Sequence, residues 1–336
     1  MESSTNSNLS DSVDYKVKRT PTITSTIVGT TRTVEAIKPK EWSFLALTCL
    51  NLFLTVALTI ERLVVLIIYE KKPTSQDFTF AILLLLNIGF CGFYAIHGVL
   101  RERVFEVYAL IAAILTVELY CIIEYIENVD GRNTIKLVRL IVICVLAPLN
   151  IFLAVIAAKG FGFLDCRIVG ATQFMQSIYR TLTIYSCFLK FDLQVALSIV
   201  VLVMVNGTNV ELFEIITLSV GIPYSIIWTT LGIIFVQKEN KFGMIFLAIL
   251  SLPAPAYVIY KLIYVYSRID TMKPLENEVI LYSQFFASAL FLIVRFLLAF
   301  EGISVYKNFG KGLKEIDIPD EPNERSGLLS GRSHTN

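Results

Sequence analysis

Histidine is nearly absent from this 336-residue chain, which has two in all, and only His97 lies in an apolar run. That scarcity removes a histidine-built metal centre and the HExxH hydrolases. No Gly-x-Gly-Asp and no Ser/His pairing falls within the apolar runs either, so the chain is expected not to be an enzyme and no metal or cofactor is assigned. Charge is also scarce, at 17% against about 25% in soluble domains. Its balance is almost even, a net +1, which excludes nucleic acid and other polyanions as partners. The six cysteines lack the paired spacing of a zinc or CxxC redox site. Five read as small apolar core residues, and Cys166, in a loop, is a palmitoylation candidate. About forty polar residues precede the first apolar run without a short apolar h-region, so the first span serves as an uncleaved insertion signal.

What remains is apolar. Hydrophobic residues make up 55% of the chain and the mean hydropathy is +0.67. Runs of at least about 20 residues, the length that crosses a bilayer, fall at 43–69, 76–100, 104–127, 135–159, 182–205, 213–236, 241–266 and 279–306. The fold class is therefore an all-α polytopic membrane protein of about eight transmembrane helices, with membrane lipids as its first partners. Residues 1–42 and 307–336 are polar and read as disordered tails. The link 160–181 mixes Phe161, Phe163, Phe174 and Met175 with Arg167 and Arg180 and reads as a segment lying on the membrane surface.

Lys and Arg at the span ends number about thirteen against seven when the N-terminus is placed in the cytosol, which sets both tails inside. This topology puts the sequon Asn206-Gly-Thr208 in the lumenal loop after span five, where Asn206 is a glycosylation candidate. The sequon at Asn8 is left cytosolic and unmodified.

Leu54-Thr-Val-Ala-Leu-Thr-Ile60 in span one is similar to Leu193-Gln-Val-Ala-Leu-Ser-Ile199 in span five, 139 residues on. Arg101-Glu-Arg-Val-Phe105 and Lys238-Glu-Asn-Lys-Phe242 then occupy matching cytosolic turns. Two four-helix repeats in parallel orientation follow, an arrangement common in transporters, with the site between repeats.

Charges inside the runs are the candidate site residues, because each facing hydrocarbon costs roughly 2.5–3.5 kcal/mol or more. Glu61 and Arg62 of span one, Glu118 and Glu124 of span three and Lys261 of span seven are expected to gather toward the lumen, with Arg62 and Lys261 neutralising the carboxylates. Lys190 and Asp192 are two residues apart and cannot share a helix face. Asp192 is expected to pair with Arg295 of span eight while Lys190 finds another partner. Pro253 and Pro255 break the backbone ladder of span seven, and broken helices recur at transporter sites. Pro148 and Pro223 disturb spans four and six, and Tyr257, Lys261 and Tyr264 share a face of span seven. Gly89 and Gly92 offer a face for close helix approach.

The tail reads Glu324-Arg-Ser-Gly-Leu328-Leu329, which resembles an acidic dileucine sorting signal. The resemblance implies a clathrin adaptor as partner and an endosomal or lysosomal address, with the plasma membrane as the alternative location. The leading expectation is a proton-coupled transporter of a small solute or ion in the lysosomal or late endosomal membrane, with Glu118 and Asp192 as its ion-binding carboxylates. The alternative is a non-transporting polytopic protein, receptor-like, lipid-binding or a scaffold, whose charges are structural.

Overall fold

The computed structural model describes residues 23–26, 29–32, 37–69, 76–127, 134–161, 173–204, 212–268 and 278–311. Helices dominate: α1 (Pro39–Val64), α2 (Gln76–Arg101), α3 (Val104–Glu127), α4 (Thr134–Ala158), α5 (Gln173–Leu202), α6 (Leu212–Gln237), α7 (Lys241–Leu250), α8 (Pro253–Arg268) and α9 (Glu278–Asn308). A five-residue π-helical stretch, Val65–Tyr69, continues α1. Counting α7 and α8 as one broken rod, eight helices are long and apolar enough to cross a membrane. Two short strands, β1 (Ile23–Thr26) and β2 (Gly29–Arg32), pair antiparallel within the segment read as a disordered tail. Their Ile and Thr content favours the extended backbone.

Local signals set the ends. Pro39 occupies the first helical position of α1, and the Glu41 carboxylate accepts the Lys38 backbone N–H at 3.1 Å. The Asn240 side chain caps α7 by accepting the Gly243 N–H at 3.1 Å. Helix α5 starts at Gln173, so 173–181 belong to it rather than to a surface segment. No Gly or Pro interrupts 173–202, which is why the helix runs on. Residues 162–172 of that expected surface segment lie outside the described residues.

The turns after α2 and α6 are the same turn. Glu102 and Glu239 are the only non-glycine residues with positive φ among the described residues, at +51° and +50°. Arg103 N–H donates to Gly98 O and Glu102 N–H to Val99 O, and Asn240 N–H donates to Phe235 O and Glu239 N–H to Val236 O. Both are Schellman closures, with glutamate where glycine is usual. Every equivalent atom is 137 residues apart, close to the 139 seen between spans one and five.

Packing repeats as well. In the first half α1 packs on α2, α2 on α3, α3 on α4 and α4 on α1. In the second half α5 packs on α6, α6 on α7, α8 and α7 on α9, and α9 on α5. Helices α2 and α3 of the first ring meet α5 and α9 of the second. The polarity of the packed bundle is the reverse of a soluble protein's. Phe53, Phe152, Phe242 and Phe296 point outward, while Thr48, Thr55, Asn87, Gln194, Ser198, Ser283 and Ser288 are buried. Asn87 holds the ring-to-ring seam, where its Oδ1 accepts from Gln194 Nε2 at 2.8 Å and its Nδ2 donates to Ser198 Oγ at 3.1 Å. Buried amides of this kind must be paired, and these pair across the seam.

The glycines that allow close approach are not the expected ones. A Cβ on Gly89 would meet nothing within 4 Å, and one on Gly92 would make ordinary contact with Leu52. Gly221, Gly232 and Gly243 are the tight positions, where a Cβ would come within 2.9, 3.0 and 2.6 Å of Val200, Leu189 and Phe235. All three lie in the second ring, on α6 and α7.

Candidate functional site

Three charged groups and one cavity stand out. The first group gathers where α1 ends and α2 begins. Arg62 Nη2 donates to Asp77 Oδ2 at 2.6 Å, and Lys136 Nζ contacts Asp77 Oδ1 at 2.8 Å and Glu124 Oε1 at 3.6 Å. Arg139 completes the group by pairing with Glu124. Four helices, α1 to α4, each give a member. Of the residues expected here, Arg62 and Glu124 take part and three do not. Glu61 is exposed on the outer face of α1. Glu118 is half-buried beside the Cys144 thiol of α4, and Lys261 lies in the second ring facing Glu214 of α6. The expected neutralisation by Lys261 is therefore corrected: Lys136 and Arg139 supply that charge, because α4 and not α8 packs beside α3. Both cations are near the start of a span, and charge count alone placed them in the flanking loop.

The second group lies near the α2–α3 turn. Lys190 Nζ reaches Glu106 Oε1 at 2.6 Å, His97 Nδ1 pairs with Glu106 Oε2, and Arg103 stands 3.7 Å from Glu106. Glu106 is the hub and was not singled out in the sequence. Its signal is weak there, a carboxylate in the first turn of a span where interfacial charge is ordinary. His97, assigned no metal, works here as a hydrogen-bonding partner of Glu106. No group of three metal-binding side chains occurs among the described residues.

The third group is the pair expected between spans five and eight. Asp192 Oδ1 and Arg295 Nε are 2.7 Å apart with side chains 1% and 6% exposed. The contact is off the N–H line, so neither atom forms a true hydrogen bond, and Arg295 Nη1 is buried with no partner. Aromatic faces hold the guanidinium in place: its Cζ is 3.9 Å from the Trp228 ring centroid and 4.9 Å from that of Phe291. Lys190 and Asp192 point to different neighbours, α3 and α9, as their two-residue spacing requires.

The broken rod lies against this pair. Pro253 starts α8, and Ser251 and Leu252 separate it from α7. The break frees the Leu250 carbonyl, and α6 supplies its donor: Tyr224 OH donates to Leu250 O at 2.5 Å, while Trp228 Nε1 adds a longer contact of 3.4 Å to Leu247 O, which already accepts the Ser251 N–H. Pro253 is exposed and Pro255 half-buried, so neither faces a site directly. Their effect is made on the residues before them. A cavity of about 540 Å³ opens there between α5, α6, α7 and α9, with Met244, Leu247, Ala248 and Ser251 on one wall and Arg295, Ala299 and Ile303 on the other. Tyr185 and Trp228 close its inner side. Pro148 and Pro223 leave α4 and α6 unbroken, whereas the seventh rod combines a break with a cavity. Asn206, Glu324, Leu328, Leu329 and Cys166 lie outside the described residues.

These features define a class: an apolar-surfaced helical bundle, of dimensions that suit a polytopic membrane protein, with a cavity at a broken helix and, on its wall, the arginine of a buried Asp–Arg pair. A family model described as a domain of unknown function (DUF7789) matches residues 28–159 and 169–303, and the chain belongs to that family. The first matched segment holds α1 to α4 and the second α5 to most of α9. No curated protein and no solved structure matches the chain.

Proposed function

We propose that the chain is a multi-pass membrane transporter of a small solute, coupled to protons, whose centre is the cavity beside Asp192 and Arg295. One observation carries the reading. A helix broken near its middle, with its loosened backbone satisfied by α6 and its neighbouring side chains lining a cavity, is the arrangement transporters use for a site. Asp192 supplies a carboxylate able to exchange its Arg295 partner for a proton. Glu118 stands apart from the cavity, on α3 beside α4, and takes no role at this centre.

The repeat supports the same reading. Matching Schellman turns, matching ring order and two family segments of similar length fit a tandem of four-helix units. Alternating access would then rock one ring against the other at the α2–α3 and α5–α9 seam. The Asn87–Gln194–Ser198 contacts lie on that seam.

The other charges favour a structural role. Arg62, Asp77, Glu124, Lys136 and Arg139 satisfy one another with three cations and two carboxylates on four helices. This observation supports the alternative, a non-transporting membrane protein, for that part of the molecule. The chain is placed in the lysosomal or late endosomal membrane on the strength of the Glu324, Leu328 and Leu329 signal, and no catalytic activity is proposed.

Purified protein in proteoliposomes with a trapped pH indicator tests the reading. Solute mixtures are added outside, and acidification or alkalinisation of the lumen is followed. The expected result is solute-dependent proton movement that Asp192→Asn abolishes while the protein still elutes as a folded species. Flux unchanged by Asp192→Asn removes this site from the mechanism.

A further inference from the structure

We propose that this cavity binds an amphipathic monocarboxylate, a single hydrocarbon chain ending in a carboxylate, with that carboxylate on the guanidinium of Arg295. The proposal deepens the transport reading and rests on the same cavity.

The walls decide most of the ligand. Apart from Arg295, the cavity is lined mainly by hydrocarbon, with Ser251, Tyr185, Tyr306 and Trp228, whose indole N–H is given to Leu247 O, as its other polar side chains. Its inner side is closed by buried Tyr185, Trp228 and Leu247, and its outer side by Ile245, Ile303 and Tyr306, which are exposed. Access is therefore through an apolar face between α7 and α9. A ligand taking that route must be apolar over most of its length. From Arg295 to Tyr306 the wall extends eleven residues along α9, roughly 16 Å at the helical rise. Its volume, about 540 Å³, lies in the range of single small-molecule sites.

Arg295 decides the other end. It is the one charged residue of the lining, is 7% exposed, and has an Nη1 that donates to nothing. The faces of Trp228 and Phe291 prevent the guanidinium from swinging away to find an acceptor. A buried, unpartnered guanidinium N–H calls for an oxygen acceptor, and the planar fork matches a carboxylate. A cationic head would meet like charge. An alcohol offers the guanidinium fork one neutral oxygen in place of two charged ones.

Charge balance adds a proton. Asp192 and Arg295 are neutral together, and a bound carboxylate would leave one net negative charge in an apolar setting. The other titratable groups close to the pair are Tyr185 of α5 and Tyr224 of α6, and the α7 wall contributes none. Lys190, His97, Arg103 and Glu106 are engaged with one another on the α2–α3 side of α5. Asp192 is left as the group that takes the proton, so one proton accompanies each bound carboxylate.

The chain carries its own probe, because its two tryptophans are Trp42 and Trp228. With Trp42→Phe in place, decanoate, decanol and decyltrimethylammonium are titrated against the purified full chain in nanodiscs while Trp228 emission is followed. Decanoate is expected to saturate and to bind about tenfold or more tightly than decanol, the worth of one charge-assisted hydrogen bond, and the cation is expected to give no saturable change. Ala299→Phe, which fills the open side one turn from Arg295 and leaves both charges in place, should weaken decanoate by a similar factor. The double variant Asp192→Asn with Arg295→Gln removes both charges and strands neither, and should erase the preference for decanoate over decanol. Calorimetry in two buffers of different ionisation enthalpy should count one proton taken up per decanoate. Equal affinity for acid and alcohol, an unaffected Ala299→Phe protein or a preference that survives the double substitution overturns the site, and absence of proton uptake overturns the role of Asp192. Decanoate binding without any proteoliposome flux would remove transport and leave the site. Flux of other solutes without decanoate binding would do the reverse.

Discussion

Arg295 sits over the indole of Trp228, 3.9 Å from the ring centroid, and touches Asp192 Oδ1 at 2.7 Å. Three helices, α5, α6 and α9, are joined at this one guanidinium. Removing either charge leaves the other buried and unmatched. Asp192→Asn or Arg295→Gln alone should therefore destabilise by about 3–5 kcal/mol, while Asp192→Leu with Arg295→Met should cost much less and sometimes nothing. Thermal unfolding in detergent followed by Trp emission checks this. Additive losses in the double variant would contradict a coupled pair.

The Arg62–Asp77–Lys136–Glu124–Arg139 group makes a different prediction, because its members are shared. Glu124 has two cations within 4 Å, so Arg139→Gln leaves it with Lys136 at 3.6 Å. Asp77→Asn removes the charge that both Arg62 and Lys136 contact, at 2.6 and 2.8 Å. Asp77→Asn should be the more damaging of the two, with a loss of about 3–5 kcal/mol against a smaller one for Arg139→Gln. Unfolding midpoints of the two variants, measured side by side, decide the order. Solute flux normalised to folded protein should be unchanged in Arg139→Gln, since this group lies in the first ring and the cavity in the second.

Much of the fold was legible because apolar runs, proline and glycine punctuation and buried-charge rules act locally. The Asp192–Arg295 pair was legible for the same reason: two isolated charges at similar depth on long apolar helices have few partners to choose from. Lys136, Arg139 and Glu106 were not, since a charge within a turn or so of a span end looks the same in sequence whether it faces water or a neighbouring helix. Lys261 was misassigned because grouping by depth ignores which helices are neighbours, and α8 does not pack against α3. Gly89 and Gly92 show the same limit, for their spacing is right but Gly89 faces open space and Gly92 meets Leu52 with room for a Cβ. The cavity depends on what Pro253 and Pro255 do to residues before them, which composition does not reveal.

The tight glycines of the second ring give a third prediction. A Cβ on Gly243 would lie 2.6 Å from the Phe235 ring, whereas one on Gly89 would meet nothing. Gly243→Ala should destabilise by about 1–3 kcal/mol through overpacking. Gly89→Ala should be neutral or stabilise by up to about 1 kcal/mol, because helix propensity is then the only change. The contrast in unfolding midpoint between two identical substitutions isolates the close approach of α6 and α7.

The paired Schellman turns offer a fourth. Glu102 and Glu239 hold left-handed backbone that a β-branched residue tolerates poorly. Glu239 also accepts the Gly310 N–H at 3.1 Å, so Glu239→Gln, which keeps an acceptor, is the control. Glu239→Val should cost about 1–2 kcal/mol more than Glu239→Gln. An equal effect of the two, read by thermal unfolding, would place the importance of Glu239 in its side chain and not in its backbone.

The break in the seventh rod is where stability and function should part. Tyr224 OH meets the Leu250 carbonyl at 2.5 Å, and removing that donor leaves a half-buried carbonyl without its partner. Tyr224→Phe should cost about 1–2 kcal/mol, the loss of one hydrogen bond at a site with limited access to water. Pro253→Ala with Pro255→Ala should act in the opposite sense. It returns the missing N–H donors and lets α7 and α8 run as one helix, so the unfolding midpoint should rise. A continuous helix would also draw Ser251 and Ala248 out of the wall they form at the break, and the cavity beside Arg295 would lose its shape. Flux and decanoate binding should fall together in this more stable protein, the trade expected where a strained element makes a site. A protein that gains stability and keeps both activities would show that the prolines bend the helix without making the site.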